Sequence, residues 1–188
     1  MLSRYVGGLI CGAIADYILV KKYLSIVWIR RIFNSVCMLG PAIAMFVMAF
    51  PGDGSRCDVT LYITMMCLGM LMNGALTSGH FATPGDLAPN YAGTVFGISN
   101  TVSGGSIAYI VPVFIGAITN NNMTFEAWTI VFATASIIYV VTNCFYVFMV
   151  KGDIQPWNFD ENQTRNHAEE MIMIKKANLA EPEDTNDF

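Results

Sequence analysis

The sequence predicts an all-α membrane protein with five transmembrane helices, and three observations predict it. Five apolar stretches fill residues 2–150, at about Leu2–Val20, Asn34–Phe50, Val59–Phe81, Ala92–Ile118 and Ala127–Val150. A helix needs roughly 20 apolar residues to cross the hydrocarbon core. Charge is excluded: no Asp, Glu, Lys or Arg lies between Asp86 and Glu126, or between Glu126 and Lys151. Composition agrees, with 54% hydrophobic against 13% charged residues and a mean hydropathy of +0.49. A soluble chain would need a polar face on its helices, so the expected surroundings are a lipid bilayer.

Charge divides the chain into two expected domains. The net charge is -4, yet residues 151–188 hold four basic and nine acidic side chains. Residues 1–150 are therefore the helical bundle, and 151–188 an acidic tail whose composition favours disorder. A short amphipathic turn at Met171–Ile174 is the exception expected there. Orientation follows from the basic residues. Lys21, Lys22, Arg30, Arg31 and Lys151 fall on one side of the membrane, and only Arg4 and Arg56 on the other. The first group marks the cytosol, which places the N-terminus outside or in a lumen and the tail in the cytosol. The sequon Asn122-Met123-Thr124 then lies outside but close to the membrane, where modification is doubtful, and Asn162-Gln163-Thr164 lies inside, out of reach of glycosylation.

The first stretch contains Arg4 and Asp16 and lacks a basic leader and a cleavage site, so it reads as a span and not as a signal peptide. Gly7, Gly8 and Gly12 give it a small-residue face suited to close helix packing. Gly12 stands one turn before Asp16, and Lys21 and Lys22 follow five and six positions later. A carboxylate there can latch a gate by facing a neighbouring helix N-terminus and pairing with lysine; the alternative is an aspartate solvated at the headgroups. Lys21–Phe33 mixes basic with large apolar residues and is expected to lie along the inner membrane surface.

Asn73 and His80 are the polar groups deepest in the third stretch. Asn73 reads as hydrogen-bond glue between helices, and His80 as structural before proton-carrying. Asp86 ends a run of 27 residues, Val59 to Gly85, without an Asp, Glu, Lys or Arg. Pro84, Gly85 and Pro89 surround it, which suits either a gate hinge or an ordinary capped turn, with Asp86 or Asn90 capping the next helix. In the fourth stretch Asn100, Ser103 and Ser106 recur every three residues beside Gly104 and Gly105. The serines read as glue; for Asn100, glue and cavity lining stand equal. Tyr23, Trp28, Phe33, Trp128 and Trp157 read as an interfacial aromatic belt.

Cys11, Cys37, Cys67 and Cys144 lie within apolar stretches and read as small buried hydrophobes. Cys57, in a loop, is left either free or paired outside the chain. Enzyme signals are absent: His80 and His167 are far apart, giving no metal-ligand spacing, and there is no phosphate loop and no paired intramembrane carboxylate. No cofactor and no nucleic-acid partner are expected.

The string from Ser78 to Thr101, SGHFATPGDLAPNYAGTVFGISNT, resembles the end of helix ten and start of helix eleven in the anion:cation symporters of the major facilitator superfamily. These include sodium/phosphate cotransporters, sialin and the vesicular glutamate transporters. Asp86, Ala88, Pro89, Tyr91, Ala92, Gly93 and Gly97 to Thr101 match the family's pattern. Gly12, Asp16 and Lys21 resemble the superfamily's loop motif, Ile29–Asn34 the basic approach to helix nine, and Pro156-Trp157-Asn158 the segment after the last helix. The resemblance covers about residues 2–158. Three departures stand out. Thr83-Pro84 replaces the family's usual Asn-His, Leu19 replaces the loop motif's inner glycine, and the first half with helix seven has no counterpart. The Thr-Pro and Asp-Leu-Ala-Pro-Asn variants are most like insect inorganic phosphate cotransporters.

The resemblance implies that the five spans correspond to helices eight to twelve of a twelve-helix fold. It implies secondary symport of a small anion, phosphate-like, coupled to sodium or protons, at the plasma membrane or an endolysosomal or vesicular membrane. Gly12, Asp16, Lys21, Asp86 and Pro89 would form gate or conformational elements, and Asn100, Ser103 and His80 would line a cavity. Transport would need the missing N-terminal half or a partner carrier chain. The competing expectation is a non-transporting truncated membrane protein that pairs with or regulates a full-length carrier.

Overall fold

The computed structural model describes residues 1–50, 58–120, 124–159 and 172–173. Cys57, Arg56, most of the Asn122 sequon, the Asn162 sequon, His167 and both ends of the Met171–Ile174 turn lie outside them. The described residues form α1 (Leu2–Val20), α2 (Ile26–Ala49), α3 (Val59–Asn73), α4 (Thr83–Leu87), α5 (Ala92–Thr119) and α6 (Phe125–Met149). A 3-10 turn (Gly74–Thr77) extends α3, another (Pro89–Tyr91) leads into α5, and a third (Pro156–Asn158) follows α6. No strand occurs among the described residues. This is the expected architecture: five helical spans are long and apolar enough to cross a membrane, and helices satisfy their own backbone where lipid cannot.

One boundary differs in a way that matters. The second helix begins at Ile26, eight residues before the expected Asn34, so 26–33 is its first two turns and not a surface segment. Ile29, Arg30 and Phe33 are buried on its inner face. Phe33 accordingly belongs to the core with Ala15, Cys37, Ala75 and Leu76, not to an interfacial belt. Arg31 is accommodated differently, its guanidinium stacked 5.4 Å over the Trp28 ring.

α2 is the axis of the bundle, packed between α3 and α6. Its buried positions Ile29, Phe33, Cys37, Pro41, Ala44 and Met48 recur every three or four residues, one face of a helix. Large side chains such as Ile43, Phe46 and Ile138 point outward, as lipid requires. Contacts between spans therefore fall to small and polar groups. A Cβ on Gly7 would collide with the Leu71 carbonyl, and one on Gly74 with the Gly8 nitrogen and Arg4 carbonyl; α1 and α3 meet backbone to backbone. On the other side, Ser136 Oγ donates to the Ala42 carbonyl (2.9 Å) and Thr129 Oγ1 to that of Ala49 (3.2 Å), tying α6 to α2.

Candidate functional site: a charged turn and a buried amide ladder

The site is organised by α2. Its second turn directs Arg30 at Asp86, which Pro84 and Pro89 hold in the short α4 and its exit. Arg30 Nε donates to Asp86 Oδ2 at 2.6 Å and Nη2 to Oδ1 at 3.1 Å, a two-pronged pair; Nη1 donates to the Ser78 carbonyl at 2.8 Å. The side chains are only 11% and 18% exposed. Ions so shielded are tolerated when fully hydrogen-bonded, and a fork against a carboxylate is the strong geometry.

One turn along, Asn34 continues the polar line. Its Oδ1 lies 2.9 Å from His80 Nδ1, and its Nδ2 donates to Asn143 Oδ1 at 3.0 Å. Asn143 Nδ2 reaches Ser35 Oγ at 3.4 Å. Because Asn34 Oδ1 accepts, the proton of His80 belongs on Nδ1. Gly79 allows this approach: a Cβ there would stand 3.0 Å from the Asn34 nitrogen. Thr83 Oγ1 and the Tyr146 hydroxyl are hydrogen-bonded at 2.6 Å, and the Tyr146 ring stands edge-on to His80 at 6.3 Å. The result is a ladder of amides, imidazole and hydroxyls running from the charged pair into the bundle.

The other sequence-derived candidates lie apart from it. Asp16 and Lys21 are exposed and make no ion pair among the described residues. Nothing lies within 4 Å of where a Cβ on Gly12 would stand. Asn100 and Ser103 are exposed on α5, where Ser103 Oγ donates back to the Ser99 carbonyl at 2.7 Å. Asn73 reaches Cys37 only through its sulfur, at 3.7 Å. Neither Asp86 nor Asn90 caps α5 as expected: the first is engaged by Arg30, and the second bonds to Asn158.

Sequence reasoning passed over Arg30, Asn34 and Asn143 as site residues. Arg30 sat within the segment assigned to the membrane surface. Asn143 had a usable signal, a single amide in an apolar stretch that contains no charge between Glu126 and Lys151. Two cavities, of about 520 and 490 Å³, flank the α1–α3 crossing with Arg4 lining both. No group of three or more potential metal ligands occurs among the described residues.

Five spans long and apolar enough to cross a membrane, with a largely shielded ion pair between α2 and α4 and a polar ladder from α2 to α6, define a multi-pass helical membrane protein. No family model matches the chain. It is similar to sialin of Ovis aries, 31% identical over 167 residues, covering 85% of this chain and 32% of that protein. It is also similar to human vesicular glutamate transporter 2, 30% identical over 146 residues, 78% of this chain and 24% of that protein. A third relative is a Drosophila melanogaster protein named as a candidate inorganic phosphate cotransporter, 25% identical over 169 residues, 89% and 31% respectively. These relatives are members of the anion:cation symporter group, and it is to that group that the chain is similar. It spans about a third or less of the length of the curated relatives it matches.

Proposed function

We propose that the chain supplies the last five spans, helices eight to twelve, of a secondary transporter that carries a small organic or inorganic anion, driven by sodium or protons. The observation that carries this reading is the Arg30–Asp86 pair at the α4 turn, set in a chain whose relatives are transporters. Such carriers work by rocking two repeats about a midplane site, and a buried pair at a proline-bracketed hinge is an element that two states can make and break. On this reading the N-terminus faces outside or a lumen, the 151–188 tail faces the cytosol, and the membrane is plasma, endolysosomal or vesicular. Phosphate is the first anion to try, from the Asp86–Asn90 variants. Identity does not single it out, since the two sialins match at 31–32% and the two Drosophila proteins at 25–27%. The test is uptake of labelled phosphate and glutamate into proteoliposomes holding the full-length carrier, under imposed sodium or proton gradients. Asp86→Asn should impair uptake without loss of insertion; undiminished uptake at equal incorporated protein would sink the role of Asp86.

A second reading is favoured by α5, of whose 28 residues only Thr119 is buried. A span with so little packing of its own fits a chain that completes itself on a partner, as a truncated protein pairing with or regulating a full-length carrier would. Sequencing the native transcript from its 5′ end separates the two. Seven further spans in frame support the first reading, and a genuine start at Met1 supports the second.

A further inference from the structure

The start of α5 lacks what helices normally provide for themselves. The continuous helical span runs Pro89–Thr119, and the first N–H groups of any helix have no acceptor within it. A Ser, Thr, Asp or Asn just before the helix usually supplies one. Here Ala88 precedes the Pro89–Tyr91 turn and Tyr91 precedes α5 itself, and neither supplies a side-chain acceptor. The missing oxygen arrives from 68 residues away: Asn158 Oδ1 accepts the Asn90 N–H at 2.9 Å, and its main-chain carbonyl accepts Asn90 Nδ2 at 2.9 Å.

Two more contacts hold this segment to the α4–α5 turn, and a third seats it on α2. The Gln155 N–H donates to the Leu87 carbonyl at 2.8 Å. The rings of Tyr91 and Trp157 lie 6.5 Å apart. Gly152 fits directly against Val27 on the first turn of α2, where a Cβ would strike Val27 Cγ2 at 2.5 Å. Asn158 itself is 3% exposed, far from the solvated tail residue that composition implies. Residues 152–158 thus bridge the start of α2, which carries Arg30, to the start of α5. The α4–α5 turn is gripped on one side by Arg30 at Asp86 and on the other by Gln155 and Asn158 at Leu87 and Asn90.

We propose that Gln155–Asn158 is a clasp that caps the Pro89–Tyr91 turn leading into α5 and sets the angle of that helix on α4, with Asn158 as its positioning residue. α5 has few side-chain contacts to hold it, so its setting depends on its ends. Releasing the clasp frees the helix without unfolding its neighbours, and joins the segment after the last span to the movement of α5. The clasp is a property of this chain; its effect on turnover rests on the transport reading above.

The test uses the full 188-residue chain in lipid nanodiscs. Hydrogen exchange is read over residues 89–96, and a distance between spin labels on α5 and α6 is measured. Asn158→Ala should speed exchange at Asn90 about five-fold, the loss typical of a cap, and broaden the distance distribution, while exchange in α2 is unchanged. Asn158→Asp keeps the side-chain acceptor and should restore both. Gln155→Pro removes only one donor to the α4–α5 turn and serves as an independent variant should Asn158→Ala fold poorly. Unchanged exchange in both variants, or no rescue by aspartate, overturns the clasp. In the full-length carrier, Asn158→Ala should lower kcat several-fold with KM held, and unchanged kcat overturns the role in turnover. A native carrier with no anion uptake refutes the transport reading instead, and the clasp is then judged on exchange and distance.

Discussion

α2 and α5 are almost equally apolar, with mean window hydropathies of 1.9 and 1.7, yet half of the α2 window is buried and none of the α5 window is. Hydropathy sets the solvent of a span but not its neighbours, because lipid tails are as apolar as leucine. What separates the two helices is where small and polar groups find partners. α2 presents Arg30, Asn34, Cys37, Gly40 and Pro41 to α3, α4 and α6, and each of them is buried. α5 is equally rich in such groups, with Gly93, Gly97, Ser103, Gly104 and Gly105, but a Cβ on any of those glycines would meet open space. Association is therefore specified by complementary placement, and composition alone cannot report it.

The largest break in this comparison should come from the charged pair. Asp86→Ala leaves the Arg30 guanidinium shielded and unpaired, which costs about 3–5 kcal/mol where one partner of a buried pair is removed. Thermal unfolding in nanodiscs should show the loss, and Arg30→Met combined with Asp86→Leu should recover most of it. A double variant no better than Asp86→Ala would mean that the two residues are not coupled. No residue of α5 should show an effect of that size.

Glycines sharpen the contrast next. Gly74→Ala forces a methyl into the Gly8 and Arg4 backbone, and overpacking of this kind costs about 1–3 kcal/mol. Gly104→Ala on α5 meets nothing within 4 Å and should be neutral or stabilising, since alanine exceeds glycine in helix propensity by about 1 kcal/mol. Equal losses from the two would dissolve the distinction between a packed and an unpacked span. Asn143→Leu comes below these. It removes two interhelical hydrogen bonds, to Asn34 and Ser35, and should cost about 1.2 kcal/mol at the ~0.6 kcal/mol average for such bonds within membranes. A loss of several kcal/mol would instead make the ladder a single cooperative network.

Much of this was legible in the residues. The first span agrees at both ends with its apolar stretch, and the fourth and fifth differ by no more than two residues. The second was misplaced at its start because Arg30 and Arg31 look like headgroup ligands until Asp86 is seen opposite. That pairing joins residues 56 apart, which no periodicity reports. Asp86 stood out through its prolines and its isolation, while its partner did not. The weight given to Asn100 and Ser103 came from polarity within a span, and the structure leaves both exposed. Asn143, polar to the same degree, meets Asn34 109 positions away. Asn158 was hidden by charge: an acidic tail reads as solvated, although Asn158 within it is buried against the turn between α4 and α5.

The smallest effect concerns the turn that delivers α2 to its central place. α1 ends with Tyr23 N–H donating to the Ile18 carbonyl at 3.3 Å and Lys22 N–H to that of Leu19 at 3.1 Å, the paired bonds of a Schellman ending. This geometry needs one residue in the left-handed region, and Lys22 occupies it at φ 53°. Glycine adopts that conformation without the clash between Cβ and backbone that lysine must bear. Lys22→Gly should therefore stabilise the fold, by up to about 1 kcal/mol after the greater freedom of glycine in the unfolded chain is offset. Lys22 is exposed and forms no ion pair among the described residues, so removing its charge has little opposing effect on folding. A higher unfolding temperature for Lys22→Gly, with no rise for Lys21→Gly at its right-handed φ of -79°, would show that the turn is strained and that the packing of α2 outweighs the strain. A drop in both would mean that the lysine charges, and not the backbone, set the position of this turn at the membrane surface.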